Sequence, residues 1–153
     1  MSTHKPIEFG ILLNLAFGSF KERLHEHLAG KGFDDLGPSF GYVFRLLEAG
    51  PHSLREVADL LQITPQGALK IVNEMVAKGY VQRGEDERDG RTKPLCLTDR
   101  SIALLRAARG FHKQFEADFV KRVGESQAAA ARAVLEDIAS QGGSVDLRRL
   151  RPL

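Results

Sequence analysis

Residues 53–79, SLREVADLLQITPQGALKIVNEMVAKG, decide the fold. The stretch opens on Ser53-Leu54-Arg55-Glu56, an S-x-x-E capping box in which the Ser53 hydroxyl accepts from the third amide on and Glu56 reaches back to the Ser53 amide. Leu54, Val57, Ala58 and Leu61 then form one apolar face over barely two turns, so the spacing predicts a helix of about Leu54 to Leu61. Gln62-Ile63 interrupts the pattern. Thr64 followed by Pro65 restarts it, with threonine as N-cap and proline at the first helical position, where its missing N–H costs nothing. The second helix runs from about Pro65 to Lys78, with Ala68, Ile71, Val72, Met75 and Val76 on its apolar face and Gly79 as its stop. Two short helices joined by a tight turn form a helix-turn-helix, with small Ala58 where they would touch and Ile63 buried between them.

The opposite face of the second helix carries Gln66, Leu69, Lys70, Asn73 and Ala77. At about 100° per residue, Gln66, Lys70 and Asn73 fall near 0°, 40° and 340°, one narrow stripe. Gln and Asn pair with adenine edges, Lys bonds guanine acceptors or phosphate, and Leu69 suits a thymine methyl. Downstream, Tyr80 to Arg83 and Leu95-Cys96-Leu97 are short strands around a polar stretch, GEDERDGRTK at 84–93, with Asp89-Gly90 as the hairpin turn. Arg88, Arg91 and Lys93 flank that turn, and arginine at a hairpin tip suits the narrow minor groove. Helix-turn-helix plus ribbon is a winged helix.

Other segments flank this body. A helix from about Pro6 to Leu28, stopped by Gly30-Lys31-Gly32, includes Ile7 to Phe20, which is apolar nearly all round and therefore needs cover on more than one side. Glu8 and Asn14 interrupt that stretch, and it falls short of the ~18 residues a membrane span needs. Pro38 opens a short helix through Phe40, Val43, Phe44 and Leu47. After the hairpin, Thr98 caps a long helix with a seam of Ile102, Leu105, Ala108, Phe111, Phe115, Phe119 and Val123. Gly124-Glu125-Ser126 breaks it. An alanine-rich helix through Ala133, Val134 and Ile138 ends at Gly142-Gly143.

At this point the sequence resembles the MarR family of transcriptional regulators. The resemblance rests on Leu54-Arg55-Glu56-Val57-Ala58, on Ile63-Thr64 and on Met75-Val76-Ala77-Lys78-Gly79-Tyr80-Val81. Its most specific part is the wing, where Arg83, Asp86, Asp89 and Arg91 meet the family form R-x-x-D-x-x-D-x-R before Leu97-Thr98 opens a long helix. Ser101 stands where the family usually has glycine, and Pro65-Gln66-Gly67 where lysine, serine and threonine are more usual. The resemblance implies a mainly α fold with a small β-hairpin wing, a winged helix-turn-helix between long N- and C-terminal dimerisation helices. The chain then reads as one domain: an N-terminal dimerisation helix and connector at 6–37, the winged helix-turn-helix at 38–98 and C-terminal dimerisation helices at 99–153. It also implies a homodimer on a pseudo-palindromic operator of double-stranded DNA, a repressor role and a small-molecule effector. Asp89 would brace the wing and Arg91 would enter the minor groove. The DNA-binding residues expected are Thr64, Gln66, Leu69, Lys70, Asn73, Arg88, Arg91 and Lys93.

Composition leaves these expectations room. The chain has 153 residues, one cysteine and a net charge of +2 from 22 basic and 20 acidic side chains. A single cysteine excludes an internal disulfide framework and fits a cytoplasmic protein. The small net charge cannot by itself identify a nucleic-acid binder, so position must carry the electrostatic argument. Cys96 lies on the opposite strand face from its neighbours, as a small packed or half-exposed thiol. His25 and His27 lie two apart on a helix and point to different faces, with His52 and His112 distant in sequence. No phosphate-binding loop, dinucleotide fingerprint or nucleophile elbow occurs, so no cofactor and no catalytic residue is expected. Two further readings stand beside the regulator: a winged-helix protein-interaction module that does not bind DNA, favoured by the acidic run Glu85-Asp86-Glu87, and a histidine-based metal-dependent sensor.

Overall fold

The computed structural model describes residues 6–84, 93–140 and 143, which fall into two units, one up to residue 35 and one from residue 36. The chain is mainly helical with one two-stranded antiparallel hairpin.

The first unit is helix α1, Phe9–Ala29. It begins at Phe9, three residues later than Pro6, and Glu8 caps it without a side-chain hydrogen bond. With no Ser, Thr, Asp or Asn in residues 6–8 to hold an earlier first turn, the proline alone does not start the helix. The end is firmer. Gly32 adopts a left-handed φ of 91°, and the amides of Phe33 and Gly32 donate to the carbonyls of Leu28 and Ala29, both at 3.0 Å. This is a Schellman closure, and it needs glycine at the turn. Leu28 is buried, whereas Ile11, Leu15 and Phe17 are half or more exposed.

The second unit begins with α2, Phe40–Glu48, α3, Leu54–Leu61, and α4, Pro65–Ala77. Strands β1, Val81–Arg83, and β2, Leu95–Leu97, follow, then α5, Asp99–Val123, and α6, Glu125–Ser140. The hairpin pairs Val81 with Leu97, Gln82 with Cys96 and Arg83 with Leu95. His52 adds a one-residue bridge to Leu95, donating at 3.3 Å and accepting at 2.7 Å. The core gathers one face each of α2, α3 and α4. Phe40, Val43, Phe44 and Leu47 of α2 are buried, as are Val57, Ala58 and Leu61 of α3 and Ala68, Val72 and Met75 of α4. Phe40, Phe44 and Tyr80 form an edge-to-face trio with centroids 5.6–6.3 Å apart. Such pairs add about 0.5–1.5 kcal/mol each beyond the area they bury.

The structure corrects some expected faces. Val76, assigned to the buried side of α4, is exposed, and Ile71 is half-buried, because the core reaches only the Ala68–Val72–Met75 stripe. On α5 the buried residues are Ser101 and Leu104, and Ile102 of the apolar seam is left exposed in the single chain. The apolar residues there cover more than one face, and the winged helix takes the stripe through Ser101 and Leu104. Gly124 alone separates α5 from α6, with φ of 89°, so Glu125 and Ser126 belong to the last helix.

Candidate nucleic-acid interface

The turn between α3 and α4 sets how α4 is presented. Gln62 ends α3 in the left-handed region at φ 55°, and the amide of Ile63 donates back to Ala58 at 3.0 Å. Thr64 then caps α4, its hydroxyl oxygen accepting from the Gly67 amide at 3.0 Å. A Cβ on residue 67 would sit 3.1 Å from that oxygen, a tight contact that glycine avoids. The Ser53–Glu56 box at the start of α3 is formed in both directions, at 2.7 and 3.1 Å. With Ala68, Val72 and Met75 turned inward, Gln66, Leu69, Lys70, Asn73 and Ala77 are left exposed together on the outer side of α4. Thr64 is exposed at the start of the same helix.

The far end of α4 is latched to the start of α5. Arg100 donates to the Lys78 carbonyl at 2.7 Å and to the Tyr80 hydroxyl at 3.1 Å, and its guanidinium lies 4.4 Å from the Tyr80 ring centroid. Thr98 donates to the Gly79 carbonyl at 2.7 Å. Ser101 closes a capping box with Thr98, accepting from its amide at 2.8 Å. The serine in the usual glycine position thus joins the joint between α5 and the helix-turn-helix.

The hairpin contributes Lys93, exposed beside β2. Arg88 and Arg91, with Asp89-Gly90, lie outside the described residues. Arg83 is a residue the sequence reading did not assign to the interface. From β1 its Nη2 donates to Asn73 Oδ1 at 3.0 Å, tying the hairpin to the outer face of α4. No periodicity could reveal that pair, since the two residues are ten apart and on different elements. Away from this face, Cys96 is half-exposed and unpaired by disulfide. Among the described residues no group of three or more His, Cys, Asp or Glu side chains is placed to hold a metal, and no helix is long and apolar enough to cross a membrane.

Residues 35–92 match the family model described as MarR family. The chain thus resembles the MarR family over the helix-turn-helix and into the hairpin, and it has a winged-helix fold. Its fold is similar to that of RV1404 from Mycobacterium tuberculosis, with a TM-score of 0.74 at 18% identity over 93% of this chain and 99% of that one. It is also similar to MepR, a transcription regulator of the Staphylococcus aureus multidrug efflux pump MepA, with a TM-score of 0.65 at 19% identity over 88% and 98% of the two chains. A mutant of S. aureus MepR bound to an oligodeoxyribonucleotide superposes with a TM-score of 0.59 at 20% identity, over 89% and 99%. No curated protein matches the sequence.

Proposed function

We propose that the protein is a DNA-binding transcription regulator, a homodimer that presents two winged helices to a pseudo-palindromic operator and loses DNA affinity when a small effector binds. The observation that carries this reading is the outer side of α4. A helix buried on one side by Ala68, Val72 and Met75 leaves Gln66, Lys70 and Asn73 as one polar stripe around Leu69. That is the surface a recognition helix lays in the major groove. The oligodeoxyribonucleotide held by a MepR mutant of the same fold supports it. In this division of labour, Gln66, Leu69 and Asn73 read base edges, Thr64 and Lys70 hold base or phosphate, and Arg88, Arg91 and Lys93 serve the minor groove and backbone. Residues 6–37 and 99–153 act as dimerisation segments around the winged helix at 38–98, a role supported by the apolar side chains that α1 and α6 leave exposed.

A salt titration tests the reading, with wild type, Asn73→Ala and Arg91→Ala on a selected operator and on a scrambled duplex. Asn73→Ala should cost affinity for the operator far more than for the scrambled duplex. Arg91→Ala should weaken both and reduce the salt slope by about one unit. Absence of salt-dependent duplex binding by wild type would favour the protein-interaction module, the reading that the acidic run Glu85-Asp86-Glu87 supports. Bound metal after purification would instead favour the sensor.

A further inference from the structure

The pair formed by Arg83 and Asn73 bears on which bases α4 reads. Arg83 Nη2 lies 3.0 Å from Asn73 Oδ1, and both side chains are exposed. A guanidinium has five donors and no acceptor, so the amide atom facing it must be the oxygen. The orientation of Asn73 is therefore set by chemistry and is not interchangeable with its flipped form. The donor side is also well anchored. The Arg83 backbone pairs with buried Leu95, and the next amide, Gly84, donates to the Pro94 carbonyl at 2.7 Å.

An unrestrained asparagine on a helix face reads adenine by offering an acceptor and a donor together, to N6–H and N7. Arg83 takes one of the two lone pairs of Asn73 Oδ1 and competes with any base amino group for that oxygen, so the Asn73 group that meets a base unopposed is its NH2, which only donates. In the major groove both purines present N7 as an acceptor, so discrimination falls on the next position, where guanine O6 and thymine O4 accept and adenine and cytosine present an amino donor. We propose that Arg83 is a specificity-determining positioning residue, holding Asn73 as a donor so that this point of the operator reads as a keto base, guanine or thymine, and not as adenine. The inference rests on the proposed DNA-binding role of α4, and it replaces the adenine pairing expected of Asn73 from sequence.

Selection from a random duplex pool, followed by competition binding, tests it with wild type, Asn73→Ala, Asn73→Asp, Arg83→Ala and the double alanine variant. The operator position that loses preference in Asn73→Ala identifies the base facing residue 73. Wild type should require guanine or thymine there. Arg83→Ala frees the amide to turn, so the keto-over-amino preference at that one position should fall by up to about fivefold, the low end of what a bidentate base contact discriminates. In the Asn73→Ala background, Arg83→Ala should change that preference no further. Asn73→Asp keeps an acceptor for Arg83 but removes the donors, so selection there should move toward the amino bases. Adenine selected by wild type at that position, or a preference untouched by Arg83→Ala, overturns the inference while leaving the DNA-binding role intact. A wild type that enriches no sequence overturns both.

Discussion

Residues 40–83 and residues 125–140 are both largely helical, yet they treat their apolar side chains in opposite ways. In the winged helix, Phe40, Val43, Val57, Val72, Met75 and Tyr80 are at most 2% exposed. In α6 no residue is buried, and Val134, Leu135 and Ile138 are 47%, 52% and 43% exposed. Helix α1 behaves like α6, burying Leu28 alone. The difference separates a body whose core closes within one chain from segments whose apolar faces the chain does not close. Helical propensity is not the usual source of such order, because most helical stability in proteins comes from packing an apolar face. This contrast supports the proposal that the terminal helices work as a shared layer between two copies.

The contrast breaks most readily at Tyr80. Its ring packs edge-on against Phe40 and Phe44, its hydroxyl accepts from Arg100, and it is fully buried. Tyr80→Ala should destabilise the body by about 3–5 kcal/mol, the range for deleting a buried aromatic, as read by urea denaturation. A loss below 1 kcal/mol, well outside that range, would show that the body's stability resides elsewhere.

The opposite region is probed at Leu135. Leu135→Asp places a carboxylate on an exposed apolar face, so the winged helix should keep its secondary structure while self-association weakens at least about tenfold, or 1.4 kcal/mol. Sedimentation equilibrium measures it. Unchanged association would remove α6 from the proposed dimer layer.

How far each region was legible in the sequence follows from the same contrast. In the body, short-range signals and tertiary packing agree. The caps at Ser53, Thr64 and Thr98 and the stop at Gly79 are read from single residues, and each stands where expected. The terminal helices carry apolar residues on several faces, so their pattern cannot say which face meets the same chain. Contacts between elements left no local trace. The His52–Leu95 bridge is one residue long, and the Arg83–Asn73 and Arg100–Lys78 bonds join positions that only the fold brings together. The outer side of α4 was legible because it is the complement of a buried stripe. The partner that orients Asn73 was not.

A smaller effect is expected at Thr64, where an exposed residue supports the body without entering its core. Its hydroxyl satisfies the Gly67 amide at the start of α4. Thr64→Ala should cost about 1 kcal/mol, as N-cap losses do, and Thr64→Ser should recover most of it. Thermal unfolding of the three proteins gives the comparison. Equal stability of the alanine and serine variants would mean that the cap contributes through its backbone alone.

The smallest effect separates charge from hydrogen bonding in the other cap. Glu56 accepts from the Ser53 amide at 2.7 Å, and its Oε2 lies 3.7 Å from His52 Nδ1. Hydrogen bonding with Ser53, through its backbone and then its side chain, lowers the Glu56 pKa from the ordinary 4.5, and the charge of His52 adds to the same direction. A carboxylate more acidic folded than unfolded stabilises the fold above its unfolded pKa, and that contribution is lost as pH falls through the folded value. Glu56→Gln keeps an acceptor for the Ser53 amide and removes only the charge. The Tm of wild type should therefore exceed that of Glu56→Gln by a constant small margin above about pH 5, and the margin should close as the pH drops below the unfolded value. The group is exposed, so added salt should narrow the margin as well. If the margin instead persists to the most acidic condition at which both proteins fold, the ionised carboxylate is not its source. The box would then hold α3 through hydrogen-bond geometry alone, in the manner of the Thr64 cap on α4.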